Sequence, residues 1–350
     1  MDRAEILSWL KEEDPQRLQT LYMWADQLRR RMVGDQVHLR GLVEISNRCA
    51  RRCAYCGLQA GNAALVRYRM QPAEIVECAR AAATLGYGTV VLQAGEDYGI
   101  GGEWLAAVVR EIKAETRLAV TLSMGERSDA DLALWREAGA DRYLLRFETS
   151  DAALFDLIHP PLASGPARSR IAILRTLREL GYETGSGVMI GIPGQSWDSL
   201  ARDIELFGEL DLDMIGVGPY IAHPATPLGS GELNLALAAD RQVPNTEEIV
   251  YKVVALTRLT CPEANIPSTT ALATLNLASG RELGLARGAN VVMPNLTPAA
   301  YRRHYEIYPN KACIRETPED CSGCLRGRIR SIGRYVGTGP GGRARSAVPA

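Results

Sequence analysis

Short apolar runs, each followed by a turn and an amphipathic helical pattern, constrain this chain more than any other feature. The runs are Leu39–Ser46, Thr89–Ala94, Leu118–Ser123, Arg142–Phe147, Gly185–Ile192, Met214–Gly218, Asn265–Thr269 and Asn290–Met293. Helical patterns lie between them, for example 103–114, 129–138, 168–180, 197–209 and 246–259. Strands separated by helices pair in parallel, because a crossover of helical length brings the chain back to start in the same direction. Eight such units predict an α/β fold of the (β/α)8 or TIM-barrel type, whose strands all end at one mouth. A doubly wound sheet also fits the alternation, but residues with chemical potential close nearly every strand, which favours the barrel. Residues 4–34 place Ile6, Leu7, Leu10, Leu21, Ala25 and Leu28 at helical spacing, broken near Asp14-Pro15, and predict two helices ahead of the barrel. The expected organisation is an N-terminal helical extension (1–35), the barrel (36–312) and a cysteine-bearing C-terminal extension (313–350). The Gly-rich stretch 337–343 is expected to fray.

Composition narrows the class. Hydrophobic residues make up 46% and charged residues 23%, as in a soluble globular protein, and a formal net charge of −1 leaves no basic footprint for nucleic acid. No stretch approaches the ~18 uncharged apolar residues of a membrane span. No apolar segment follows Met1-Asp2-Arg3, so a cytoplasmic location with reduced thiols is expected. Eight cysteines in such a chain argue for metal binding or catalysis rather than disulfides. Cys78 and Cys261 stand alone among apolar residues and read as buried, inert thiols. The other six form two triplets.

The first triplet is Cys49-Ala50-Arg51-Arg52-Cys53-Ala54-Tyr55-Cys56, closed by Gly57 and placed just after the first strand. Thiolates are soft ligands that suit zinc and iron–sulfur centres. A closed zinc site wants four ligands, and no fourth Cys or His lies close by in sequence. A four-iron cluster held by three thiolates instead leaves one iron with an open position where a reactant binds. A zinc-bearing, non-enzymatic binding protein is the competing reading. At the strand ends, Arg142 and Arg146 lie four apart and share one strand face. An inward charge must find a partner, and a mouth that binds anions supplies one.

The cysteine spacing, with an aromatic before the third Cys, resembles the signature of the radical S-adenosylmethionine (SAM) superfamily. In that superfamily the open iron chelates the amino and carboxylate groups of SAM. Longer strings narrow the resemblance: Gly41-Leu42-Val43-Glu44-Ile45-Ser46-Asn47, Arg67-Tyr68-Arg69-Met70, Val91-Leu92-Gln93-Ala94-Gly95-Glu96-Asp97, Ala140-Asp141-Arg142-Tyr143-Leu144-Leu145-Arg146 and Met293-Pro294-Asn295. These are similar to the HydE-type maturases of FeFe-hydrogenase. Biotin synthase and methylornithine synthase share the barrel and the cysteine motif, so mutase or sulfur-insertion chemistry is the alternative within the superfamily.

The resemblance implies that Cys49, Cys53 and Cys56 hold a 4Fe-4S cluster and that Tyr55, Gln93, Glu148, Arg170 and Tyr305 contact SAM. Thr121, Arg142, Arg146, Thr269, Thr270, Met293 and Tyr308 would line the substrate cavity. Cys313, Cys321 and Cys324, spaced C-x7-C-x2-C, stand where some members carry a second Fe-S cluster, expected near the surface and far from the mouth. The implied task is cleavage of SAM to a 5′-deoxyadenosyl radical, acting on a cysteine-bearing iron carbonyl cyanide precursor of the hydrogenase two-iron subcluster. An organometallic substrate, other hydrogenase maturases and an electron donor such as flavodoxin or ferredoxin are the implied partners, with no nucleic acid and no membrane. One departure stands out: the family usually has His where this chain has Phe147, which cannot donate a hydrogen bond. Strand parity turns Phe147 away from the face that Arg146 and Glu148 share.

Overall fold

The computed structural model describes residues 1–162, 169–313 and 316–343. Its sheet is built from β1 (Gln36–Ser46), β2 (Thr89–Ala94), β3 (Ala119–Ser123), β4 (Arg142–Leu144), β5 (Glu183–Ile190), β6 (Met214–Pro219) and β7 (Val291–Val292). All neighbours are parallel, in the order β6-β5-β4-β3-β2-β1-β7. The expected seventh strand, Asn265–Thr269, is reduced to isolated parallel bridges, Met214 with Asn265 and Pro267 with Val291. Pro267 has no N–H to offer a ladder, so regular pairing fails at that point. The segment still links β6 to β7, because Ile215 N–H donates to Asn265 O and Ser268 N–H to Val291 O, both at 2.9 Å. The parallel sheet therefore curls round on itself as the alternating pattern requires. The expected fourth strand also ends early, at Leu144.

Helices cover the outside because their apolar faces have the right period. Helix Gly102–Glu115 buries Leu105, Ala106, Val108, Val109 and Ile112, and helix Trp197–Glu209 buries Leu200, Ala201, Ile204, Leu206 and Phe207. The two N-terminal helices are Arg3–Leu10 and Pro15–Val33. Asp14 caps the second, accepting from the N–H of Gln16 and Arg17, with Pro15 in the first turn where its missing N–H costs nothing. Lys252 of helix Glu247–Thr260 donates to the carbonyls of Leu10 (3.1 Å) and Glu12 (2.6 Å). That helix is buried on nearly every side because the N-terminal pair covers it. Among the described residues, no helix is long and apolar enough to cross a membrane.

The Gly-rich stretch 337–343 does not fray. β8 (Tyr335–Val336) pairs with the start of β1, and the chain then runs across the N-terminal ends of the strands. Pro340 O accepts from Thr89 Oγ1 (2.9 Å) and Arg142 Nη2 (3.0 Å). Gly341 O accepts from Arg40 Nη2 (3.0 Å) and Asn265 Nδ2 (3.2 Å), and Arg343 pairs with Asp211 at 2.6 Å. A Cβ on Gly88 would stand 1.6 Å from Gly339 O, so the strap lies flush against the barrel floor because glycines meet there. Glycine reads as freedom in a sequence; buried donors below the barrel remove that freedom here.

Candidate active site

The loop that follows β1 is held rigidly across the mouth. Asn47 Nδ2 donates to Val66 O (2.8 Å) and His304 O (2.7 Å), while its Oδ1 accepts from Tyr68 N–H (2.7 Å). Arg67 ties the same loop to itself through the carbonyls of Asn47 (2.6 Å), Leu58 and Gln59 (each 2.7 Å). Gly95 lets the loop rest on the end of β2, since a Cβ there would meet Arg48 O at 2.3 Å. Cys49, Cys53 and Cys56 all line one cavity of about 370 Å³ inside the mouth. Burial pushes all three thiols up, Cys56 to about 12, a cost that a bound metal centre reverses by stabilising the thiolates. Among the described residues, neither cysteine triplet brings three sulfurs within 4.8 Å of one another, which is the spacing a single ion would demand. Three thiols on one cavity are a donor set that an iron–sulfur cluster accepts.

Strand ends supply the rest of the wall. Leu42 and Glu44 come from β1, Gln93 from β2, Ser123 from β3, and Arg146 and Glu148 from the turn after β4. Glu148 adopts φ +64°, a left-handed conformation that costs a non-glycine residue about 1 kcal/mol or more and clusters at functional sites. Its Oε2 has no hydrogen-bond partner and lies 3.4 Å from Arg146 Nη2; Arg146 Nε is also unpartnered. Buried polar atoms of this kind cost free energy unless a ligand answers them. They fit a molecule carrying an amino and a carboxylate group.

Most residues expected at the site meet there: Tyr55, Gln93, Glu148, Arg170, Arg146, Thr269, Thr270, Met293 and Tyr308 all line the cavity. Tyr305 stands behind the wall, where its hydroxyl accepts from Gln93 Nε2 at 3.1 Å. Thr121 lies one pleat deeper than Ser123 on the same face, with Oγ1 unpartnered. Arg142 is a correction. It opens β4 at the floor, where Nε meets Glu183 Oε2 at 2.5 Å and Nη1 meets Thr89 Oγ1 at 2.9 Å. Parity gave its face correctly, but four residues along a strand is most of the barrel's depth. The expected place of the second triplet, far from the mouth, is a correction too. Cys313 and Cys321 line the same cavity as the first triplet, whereas Cys324 is exposed on helix Pro318–Ser331. A hydrogen bond from Cys321, with Arg281 nearby, holds the Cys313 thiol below its ordinary value.

Lys311, Arg281, Glu126 and His159 carry no sequence signal. Lys311 Nζ pairs with Glu44 Oε1 at 2.6 Å, and Asn295 Nδ2 donates to Glu44 Oε2 at 3.0 Å. Arg281 is buried with Nη1 unpartnered and Nη2 3.7 Å from Cys313 Sγ. Beside the cysteine loop, Arg51 bridges Glu96 (2.5 Å) and Glu126 (2.6 Å), and Arg170 Nε donates to Glu126 Oε1 (2.9 Å). The flanking guanidinium groups of Arg170 and Arg51 outweigh burial and hold Glu126 down at about 2. His159 completes this group, with Nδ1 3.0 Å from Cys53 Sγ and Nε2 2.8 Å from Arg170 Nη2.

Comparison with known proteins agrees with this arrangement. The Radical SAM superfamily matches residues 43–207. The FeFe hydrogenase maturase subunit HydE of Thermotoga maritima is 45% identical over 330 residues, covering 93% of this chain and 89% of the relative. The 3-methylornithine synthase of Methanosarcina acetivorans is 28% identical, over 83% of this chain and 77% of its own length. The crystal structure of methylornithine synthase superposes with a TM-score of 0.79 at 22% identity, covering 96% of this chain and 94% of that one. The crystal structure of the maturase HydG gives 0.70 at 16% identity, covering 84% and 64% respectively, and like the first it speaks for the fold alone. A curled parallel barrel with three thiols at its mouth, together with the 45% identity, settles the family: the chain is a radical SAM enzyme, with a four-iron four-sulfur cluster and SAM as its cofactors, and belongs to the HydE family of FeFe-hydrogenase maturases.

Proposed function

We propose that Cys49, Cys53 and Cys56 ligate the SAM-cleaving cluster and that the enzyme acts on an anionic, cysteine-bearing iron carbonyl cyanide precursor of the hydrogenase two-iron subcluster. One observation carries the reading: the three thiols and a set of anion-seeking groups (Arg146, Arg281, Thr269, Thr270) line one and the same cavity. When bound, the cluster and SAM supply a 5′-deoxyadenosyl radical by one-electron cleavage of SAM. The chain's own residues orient the reactants and keep water out. Glu148, with a free carboxylate oxygen, accepts from the amino group of methionine, and Arg170 presents a cation to its carboxylate. Gln93, held by Tyr305, fixes the SAM end of the wall. Arg146 and the unpartnered Nη1 of Arg281 hold the anionic substrate, while the Lys311–Glu44 pair neutralises itself. Cys313, Cys321 and Cys324 hold an auxiliary iron–sulfur cluster. Another hydrogenase maturase delivers the precursor, a flavodoxin or ferredoxin supplies the electron, and the work is done in the cytoplasm.

The test is anoxic reconstitution followed by incubation with SAM, a reductant and the synthetic complex. Formation of 5′-deoxyadenosine or an adenosylated product that depends on the complex supports the assignment. Turnover with a methylornithine or biotin precursor, and none with the complex, overturns it.

A further inference from the structure

His159 takes no part in the function described above, yet it touches Cys53 and sits in a wall between two cavities. The second cavity, about 620 Å³, is lined by Phe147, Thr149, Phe155 and Ile173 among others. It shares Arg51, His159 and Arg170 with the first, and Glu126 lines the second. The imidazole is buried, and both of its nitrogens are engaged: Nδ1 lies 3.0 Å from Cys53 Sγ and Nε2 lies 2.8 Å from Arg170 Nη2.

The partners decide which nitrogen carries the proton. An arginine N–H only donates, so Nε2 facing Arg170 has to accept. Glu126 Oε1 lies 3.4 Å from the same nitrogen, but it is already bonded by Arg170 Nε at 2.9 Å. Nδ1 therefore holds a hydrogen, and among the described residues its hydrogen-bond partner is the Cys53 sulfur. Backbone carbonyls already do comparable work elsewhere in the loop: Ala54 N–H is used by Ile158 O, the residue just before His159, so the imidazole and the cysteine loop are fastened together.

We propose that His159 is a positioning residue that donates an Nδ1–H hydrogen bond to the Cys53 thiolate, in the tautomer imposed by Arg170, and thereby raises the reduction potential of the SAM-cleaving cluster. A hydrogen bond to a ligating sulfur offsets part of the negative charge that reduction adds, so the reduced state gains more than the oxidised one. The inference rests on the cluster assignment above. Iron content and SAM cleavage by the wild-type protein test that assignment, whereas potentials of variants with full iron content test this one.

The experiment is a redox titration monitored by electron paramagnetic resonance on reconstituted wild type, His159→Phe and His159→Asn. In His159→Phe the ratio of reduced to oxidised cluster at a fixed potential should fall about tenfold, equivalent to about 59 mV for a one-electron couple. His159→Asn places an amide N–H near the position of Nδ1 and should restore most of the loss, which a merely space-filling role would not produce. An unchanged potential in His159→Phe, at full iron content, overturns the proposal. Should that variant fail to fold or load, wild type labelled with ¹⁵N in histidine alone decides the matter. Pulsed spectra of the reduced cluster should show coupling to an imidazole nitrogen, and its absence overturns the proposal.

Discussion

The mouth and the floor of the barrel are built from the same strands and both are rich in arginine, yet they are opposite in character. At the floor, Arg142 is answered by Glu183, Thr89 and the Pro340 carbonyl, and the strap 337–343 closes the end. At the mouth, Glu148 Oε2, Arg146 Nε and Arg281 Nη1 have no hydrogen-bond partner, and Glu148 and Cys313 hold left-handed backbone at φ +64° and +61°. The floor keeps orphaned atoms of its own, Arg40 Nε, His38 Nδ1 and Arg343 Nε, but the strap closes it, whereas the mouth opens on a cavity where a ligand can answer such atoms and the local strain. Two arginines four residues apart, one opening β4 and one in the turn after it, thus serve opposite ends.

The largest effect should come from the mouth's thiols. Cys53→Ala is expected to lose most bound iron and all SAM cleavage while keeping the circular dichroism of the wild type; full iron loading would remove the cluster from this loop. Next, Arg146→Met should lower kcat/KM for the precursor by roughly 10- to 100-fold, the worth of one charge-assisted hydrogen bond of about 1.5–3 kcal/mol, with little change in Tm. Arg142→Met should behave in reverse. It strands Glu183 at the floor and should cost about 1–3 kcal/mol of stability, read as a fall in Tm, while SAM binding by calorimetry is unchanged. If Arg142→Met instead abolished substrate turnover with Tm intact, the division between floor and mouth would be wrong.

The smallest effect is one of pH. Glu126 titrates at about 2 in the fold, below its ordinary value of 4.5, so its ion pairs stabilise the protein fully above that ordinary value. That stability is lost as pH falls from about 4.5 towards 2. Glu126→Gln in the metal-free protein should flatten urea stability measured across this window; an unaltered slope would show that Arg51 and Arg170 do not act through Glu126.

Much of the architecture was legible because it is written in local periods. Apolar runs alternating with amphipathic helices specify parallel pairing whatever the later contacts are, and Asp14-Pro15 marks a helix start by its own chemistry. The C-x3-C-x2-C spacing is likewise local: three thiols in one loop can reach one cluster without help from distant residues. Expectations failed where depth or long range mattered. Period two predicts one face for Arg142 and Arg146 but carries no information about where the strand ends, at Leu144, or which end of the barrel each residue reaches. Pro267 interrupts a ladder that apolar content alone would have continued.

By itself, then, the order of residues sufficed for the parallel α/β barrel and the cysteine loop, since each depends on neighbours a few positions apart, while the wall around the loop was legible only through the family resemblance. Three features belonged to the tertiary structure alone: the Lys311–Glu44 pair, the contact of His159 with Cys53, and the glycine strap beneath the strands. Each joins residues more than a hundred positions apart, and a buried charge or a pinned glycine acquires its meaning only from the group that folding brings against it.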